Sequence, residues 1–366
     1  MDPGLIIDDG EPGFQPETGP AECAAPSKPR IGLIIDTDGW SFSNIALQLQ
    51  RHLADRFDFI VIPTAIIDNV DQVLLMTRDC NLVHFFWRED ACLIGTPYYR
   101  NYVELLGIPY EEFERKYINS KKITTAIYDH LLLEPAVLAE RAQIFNNLFA
   151  GYYVASNKLR DIYQAIPCYP SPTAVLEDGV DLTQFQPRNL ERLDEIPRRE
   201  LVIGWVGNSK WAAEIEDFKG VHTILAPAID RLRAEGFPVV SCFADRQERF
   251  IPHSEMPDYY EKIDLYVCTS KIEGTPNPIL ESMACGIPIV STDVGIVPQA
   301  FGPLQQRFIL EERSIDCLVE KLKTLLREPA LLKEMSAENL KYITSWDWGI
   351  KARQFGDFFD STLKGV

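Results

Sequence analysis

The chain has 366 residues, 46% of them hydrophobic and 25% charged, and a formal net charge of -18. Its length exceeds what one hydrophobic core comfortably serves and predicts about two domains of a soluble enzyme-like protein. The acidic balance excludes the broad basic surface that nucleic-acid binders use to neutralise phosphates, and no apolar run approaches the ~18 residues of a membrane span. The start, MDPGLIIDDGEPG, lacks the basic head and apolar run of a signal peptide, so a cytoplasmic location is expected. The eight cysteines are scattered without a CxxC pair and several lie in apolar runs, so they read as reduced core residues.

Residues 1–29 hold six prolines and four glycines, with acidic residues in excess, and are expected to be a disordered tail. From Arg30 the pattern alternates. RIGLIID reads as a strand, SNIALQLQRHLADRF as a helix, and FDFIVIP, CNLVHFFW and KKITTAIYD as further strands. A helix over Pro135 to Phe149 leads into the strand GYYVAS, a helix from Asn157, and then TAVLEDGVD. This first unit, residues 30–185, reads as a Rossmann-like domain. The charged, proline-bracketed residues 186–199 read as a linker.

In the second unit, residues 200–345, ELVIGWVG is a strand, VHTILAPAIDRLRAEG a helix and FPVVSCFA a strand. PDYYEKI is a short helix, IDLYVCTS and GIPIVST are strands, and SIDCLVEKLKTLLREP is a helix. Residues 346–366, which hold all but the first residue of the amphipathic SWDWGIKARQFGDFFDSTL, are expected to cross back to the first domain. The whole is α/β: two Rossmann-like domains whose parallel sheets face a central cleft, with the ligand site at the C-terminal ends of the strands.

Three stretches offer chemistry. The first, IIDTDGW, resembles the DxDG signature of haloacid-dehalogenase-like phosphatases, with Asp36 as nucleophile, Asp38 as general acid and a magnesium ion between them. Trp40 departs from that pattern, and the paired-carboxylate motif it requires has a counterpart only in GDFFD, Gly356 to Asp360. In the rival reading the acidic pair ends a strand and Gly39 makes the turn into a helix. The second stretch, IGWVGNSKWAAEIEDFKGVHTI, places Lys210 and Lys219 in a strand-to-helix connection, where an anion would bind.

The third stretch is EGTPNPILESMACGIPIVSTDVG, Glu273 to Gly295. Pro276 and Pro278 stiffen the turn, and Pro278 suits the first helical position. Free amides around Asn277 to Leu280 would point at a phosphate along the positive end of the helix dipole. Glu281, one turn into the helix, would reach the cleft rim and accept two hydrogen bonds from a vicinal diol such as ribose. Glu273 would lie on the other side of the phosphate.

With YYEKIDLYVCTS before it and VLEDGVDLTQFQP, KLRDIY and FKGV elsewhere, this stretch resembles the retaining glycosyltransferase family four, the group 1 glycosyltransferases, through its E-x7-E motif. The resemblance covers most of residues 150–350. It implies the GT-B fold and transfer of a sugar, with retention, from a nucleotide-diphosphate sugar to a saccharide or glycoconjugate hydroxyl, without an obligatory metal or other cofactor. It implies that Glu281 binds ribose, that Glu273 contacts the donor sugar, and that Gly274, Thr275, Pro276, Asn277 and Pro278 border sugar and phosphates. Lys219 would neutralise the diphosphate leaving group. Gly39 and Trp40 would face the donor from the first domain, and His130 would touch the donor sugar; Glu273, His130 and Lys219 form the expected catalytic set.

Two positions depart from the family. Asn208 replaces its usual arginine, and Lys210 is expected to supply the missing cation; Gln299 follows Pro298 where a glutamate is usual. The base is expected near Ala244 to Tyr260. The expected partners are the nucleotide-sugar donor and the acceptor, with no nucleic acid; the only feature favouring a membrane surface is the local cluster Arg115, Lys116, Lys121 and Lys122. The rival functions are the phosphatase read from Asp36 and Asp38 and a non-catalytic nucleotide-sugar binder.

Overall fold

The computed structural model describes residues 28–67, 70–94 and 96–365. The expected N-terminal tail, apart from Lys28 and Pro29, lies outside the described residues. Eleven short, β-branched runs pair in two all-parallel sheets. β1 (Arg30–Ile35), β2 (Asp58–Pro63), β3 (Leu82–Phe85), β4 (Lys122–Ile127), β5 (Gly151–Val154) and β6 (Ala174–Val175) form the first, in the order β2-β1-β3-β4-β5-β6. β7 (Leu201–Gly207), β8 (Val239–Asp245), β9 (Leu265–Cys268), β10 (Ile289–Thr292) and β11 (Ile309–Leu310) form the second, in the order β11-β10-β9-β7-β8.

These orders decide where a ligand can sit. In each sheet the first strand has its successor on one side and a later strand on the other, so the connections leaving β1 and β3, and those leaving β7 and β9, part to opposite faces and open a crevice. Each sheet is covered on both faces, which is why its strands are continuous apolar runs. Short helices at Val70–Met76, Arg88–Leu93, Pro97–Leu105 and Tyr110–Phe113 fill the spaces around β3, elements too short to show a helical period in the sequence.

The helix Trp348–Lys364 packs on the first sheet. Asp347 caps it by accepting from the Gly349 N–H at 2.7 Å. Trp348, Phe355, Phe358 and Phe359 pack with Ile31, Leu33, Leu49 and Tyr153. Two chain crossings therefore join the halves, and they pair with each other: Val180 N–H donates to Trp346 O at 2.9 Å and Trp348 N–H to Val180 O at 3.2 Å.

Residues 186–199 are not the loose tether their composition suggested. Leu193 and Ile196 are buried in the second core, and Arg192 and Arg199 converge on the fully buried carboxylate of Asp264, at 3.2 and 2.7 Å. Removing one partner of such a buried pair costs about 3–5 kcal/mol, which fixes the segment against the second half. Its apolar residues follow a 3₁₀ turn at Leu190–Glu195 and so show neither helix nor strand period.

At the first crossing Asp178 is fully buried. It accepts from the Tyr128 hydroxyl at 2.8 Å, while its Oδ2 has no partner. Burial pushes its pKa up to about 7 against the opposing hydrogen bond from Tyr128, and Glu177 adds to the rise. The unfolded chain releases this proton in the ordinary carboxylate range, so the folded state binds the extra proton and stability falls as pH climbs to about 7. Asp178→Asn is expected to raise Tm by at least about 3 °C at pH 8 and by clearly less at pH 5, measured by calorimetry; an equal gain at both pH values contradicts the assignment.

Candidate functional site

The crevices of the two sheets face each other across a cleft of about 570 Å³. The first half contributes Asp36 and Gly39 to Phe42 after β1, and Trp87 after β3. The second contributes Gly207, Asn208 and Lys219 after β7, Arg246 to His253 after β8, and Ser270 to Glu281 after β9. The turn from Glu273 to Pro278 is the meeting point. Thr275 Oγ1 donates to Ala155 O at 3.1 Å, Asp178 N–H donates to Thr275 Oγ1 at 3.3 Å, and Asn277 Nδ2 donates to Ser41 Oγ at 3.0 Å. Gly274 is essential to this approach, because a Cβ there would lie 2.7 Å from Tyr128 O.

The helix Asn277–Ala284 starts with no side-chain cap, and Pro278 occupies its second position rather than the first. Pro278 has no N–H and Ile279 N–H donates to Pro276 O at 2.9 Å. The amides open to an anion are therefore fewer, and placed earlier, than the sequence suggested. Gly274, Thr275 and Asn277 line the cleft, and their amides have no acceptor among the described residues.

Glu281 is not at the rim. It is 7% exposed on the cleft floor, with Oε1 2.9 Å from His253 Nε2 and Oε2 accepting from the Tyr260 hydroxyl at 2.7 Å. Each oxygen keeps a second lone pair, so the carboxylate can still accept from a diol. Burial opposes charging of His253, but the hydrogen bond and charge of Glu281, together with Asp181, hold its pKa above the ordinary imidazole value. His253 lies within the segment expected to hold the base, yet nothing in the sequence linked it to a glutamate 28 positions later.

Glu273 and Lys219, given separate roles from sequence, form an ion pair at 2.6 Å in the cleft. Lys219 Nζ also lies 5.0 Å from the centre of the Trp211 ring. Gly39, with φ +70°, and Trp40 line the opposite wall. Asn208 lines the cleft with its side chain tied to Gln247 at 2.8 Å.

Lys210 and His130 are not among the lining residues. The Lys210 side chain is exposed, and its N–H donates to Asn208 Oδ1 at 3.1 Å. His130 is partly buried beside Asp129, with burial holding its pKa down. Arg88 is a core residue, donating to Asp129 at 2.7 Å. His84 is fully buried, 2.9 Å from Thr124 Oγ1 and stacked on Tyr153.

The cation that reasoning along the sequence missed is Arg246. The β7–β8 register pairs Gly207 with Asp245, and Arg246 N–H donates to Gly207 O at 2.9 Å, which brings Arg246 beside Asn208. Its guanidinium lies 4.1 Å from the Trp40 ring centre across the cleft and has no carboxylate at ion-pair distance among the described residues. A guanidinium held by a ring face keeps its in-plane N–H groups free for an anion.

The DTDG stretch is not completed as a phosphatase site. Asp38 is exposed and 3.4 Å from Ser43 Oγ, while Asp357 and Asp360 of GDFFD, on the returning helix, pair with Arg56 of the first half at 3.0 and 2.7 Å. Asp36 does line the cleft, with Oδ1 buried and unpartnered and its pKa raised by burial. Among the described residues no helix is long and apolar enough to cross a membrane.

Two parallel sheets joined by a double crossing, with a charged cleft between their switch points, define the GT-B class of fold. Sucrose-phosphate synthase from Thermosynechococcus elongatus superposes with a TM-score of 0.64 at 15% identity, over 93% of this chain and 100% of that one. Anabaena Alr3699/HepE in complex with UDP gives 0.65 at 12% identity, over 91% and 100%. Residues 248–342, which contain the stretch Glu273 to Gly295, match the model of the glycosyl transferases group 1 family.

The putative teichuronic acid biosynthesis glycosyltransferase TuaC of Bacillus subtilis is 27% identical over 184 residues, 46% of this chain and 44% of its own. The lipopolysaccharide core biosynthesis mannosyltransferase LpsB of Rhizobium meliloti is 28% identical over 219 residues, 53% and 62%. The chain thus spans about half the length of these curated relatives.

The cleft geometry separates the two candidate cations. Arg246→Ala is expected to weaken binding of inorganic pyrophosphate by about tenfold, the loss of one charge-assisted contact, while Lys210→Ala changes it by less than about twofold. Titration calorimetry on both variants checks this, and the reverse ranking contradicts it.

Proposed function

We propose that the protein is a retaining glycosyltransferase, of hexosyltransferase type, that moves a sugar from a nucleotide-diphosphate sugar to a hydroxyl of a saccharide or glycoconjugate. The observation that carries this reading is the convergence, in one cleft, of a buried doubly held carboxylate, a lysine–glutamate pair and three unpartnered amides. Glu281 would take the ribose diol. The diphosphate would lie over the amides of Gly274, Thr275 and Asn277, with Lys219 and Arg246 as counter-charges and Asn208 beside them. Gly39 and Trp40 would close the donor site from the first half, with Pro276 and Pro278 shaping its border.

The chemistry follows from charge. When the bond from the anomeric carbon to the diphosphate breaks, negative charge grows on the departing oxygen, and preformed donors around it stabilise that state more than the ground state. Lys219 can move from Glu273 to the leaving group, while Glu273 takes hydroxyls of the donor sugar. The facing walls would keep water from competing with the acceptor. The curated relatives support the reading through their names as glycosyltransferases, and the Anabaena structure through its bound UDP. On this reading His130, outside the cleft lining, is not part of the catalytic set.

The test is incubation with uridine, guanosine and adenosine diphosphate sugars and simple saccharide acceptors, with the anomeric configuration of the product followed by NMR. The expected outcome is transfer, or slow donor hydrolysis, from one donor class with the donor's configuration kept. Lys219→Ala is expected to lower kcat/KM by about a hundredfold or more, the scale set by loss of a transition-state charge partner. Inverted product, or no turnover from any donor, contradicts the proposal.

A further inference from the structure

Glu281 is held in an unusually complete way. A carboxylate anchored through one oxygen still turns about its last side-chain bond; donors on both oxygens fix its plane. Here the two donors come from one short segment: Tyr260 ends the helix Met256–Tyr260, and His253 opens the turn before it. The imidazole is itself fixed. Its ring lies 5.2 Å from that of Phe185, Gln184 Nε2 donates to His253 O at 2.8 Å, and the same amide lies 3.5 Å from Nδ1.

That setting assigns the proton. With the Gln184 amide facing Nδ1, the neutral ring carries its proton on Nε2 and donates to Glu281; the charged ring donates from the same atom. The groups facing His253 are Glu281 from the helix Asn277–Ala284, Asp181 and Gln184 from the crossing segment, and Tyr260 beyond the carboxylate. Asp181 is in turn held by Arg51 at 2.7 Å and Gln48 at 3.3 Å. His253 and Glu281 lie between the main cleft and a second cavity of about 50 Å³, which Gln48, Asp181 and Gln184 also line.

We infer that His253 is a positioning residue for the nucleoside: it sets the plane of the Glu281 carboxylate so that both oxygens meet a vicinal diol, and thereby makes the site selective for ribonucleotides over deoxyribonucleotides. The inference rests on the reading of Glu281 as the ribose ligand. A site built to pair two hydroxyls rejects an analogue lacking one because a buried acceptor is left unpaired, whereas a carboxylate free to turn re-pairs with what remains.

The experiment uses the full chain and whichever of uridine, adenosine and guanosine diphosphate binds it, compared with the 2′- and 3′-deoxy forms by titration calorimetry. The wild type is expected to prefer the ribonucleotide by about tenfold or more, and Glu281→Ala to lose that preference. His253→Phe keeps the ring against Phe185 but removes the donor; it is expected to reduce the preference to less than about threefold while leaving pyrophosphate affinity unchanged. His253→Gln, whose amide reaches the same point, is expected to restore the preference.

Retention of full preference by a folded His253→Phe, with Glu281→Ala losing it, overturns the role of His253 and leaves that of Glu281 intact. Absence of preference in the wild type overturns both. If His253→Phe does not fold, the wild type still decides: the His253 imidazole resonances are expected to shift with the ribonucleotide and not with its deoxy forms, and equal shifts refute the inference.

Discussion

The close approach at Gly274 organises the cleft. The Glu273–Pro278 turn rests its backbone on the strand ends of the first half: Gly274, Thr275 and Pro276 are buried, a Cβ on Gly274 would lie 2.7 Å from Tyr128 O, and Thr275 Oγ1 donates to Ala155 O. Gly295 supports it from behind: its φ of +47° lets Ile296 N–H donate to Gly274 O at 3.1 Å. With the turn fixed, the start of the helix Asn277–Ala284 and the position of Glu281 follow.

On the proposed reading the charges in the cleft select a composite ligand. Lys219 and Glu273 satisfy each other as an ion pair at 2.6 Å. A bare phosphate that drew Lys219 away would leave Glu273 in the cleft without its partner, at a cost comparable to what the phosphate gained. A ligand carrying an anion and hydroxyl groups together replaces both partners at once. On the proposed reading this is why a diphosphate bearing a sugar is favoured over its fragments. Arg246, stacked on Trp40 from the opposite half, adds a charge whose position depends on both halves being close.

Much of this was legible in the sequence because strands buried on both faces are written as apolar runs, and a tight strand-to-helix turn is written in glycine and proline. The Glu273–Glu281 unit, Lys219, Gly39 and Trp40 were recognisable on that basis, and all line the cleft. What was not legible depended on pairing across the sheet. Arg246 sits in a run of charged residues that reads as ordinary solvated loop, and only the β7–β8 register brings it beside Asn208. Lys210 is two residues from Asn208 in sequence, but its side chain projects to solvent outside the cleft. The burial of Glu281 was hidden for the same reason, since its partners His253 and Tyr260 come from a different connection. The segment 186–199 misled through composition: its arginines look solvent-directed until the buried Asp264 is seen beneath them.

The central claim is that this cleft holds a nucleoside diphosphate through Glu281 at one end and the Gly274–Asn277 amides with Lys219 at the other. Titration calorimetry with uridine, guanosine and adenosine diphosphates tests it most directly, on the wild type and on Glu281→Ala and Lys219→Ala. The account predicts that one base is bound clearly better than the other two, and that each substitution weakens that binding by about tenfold or more. Binding of none of the three, or equal affinity in the wild type and both variants, would contradict it.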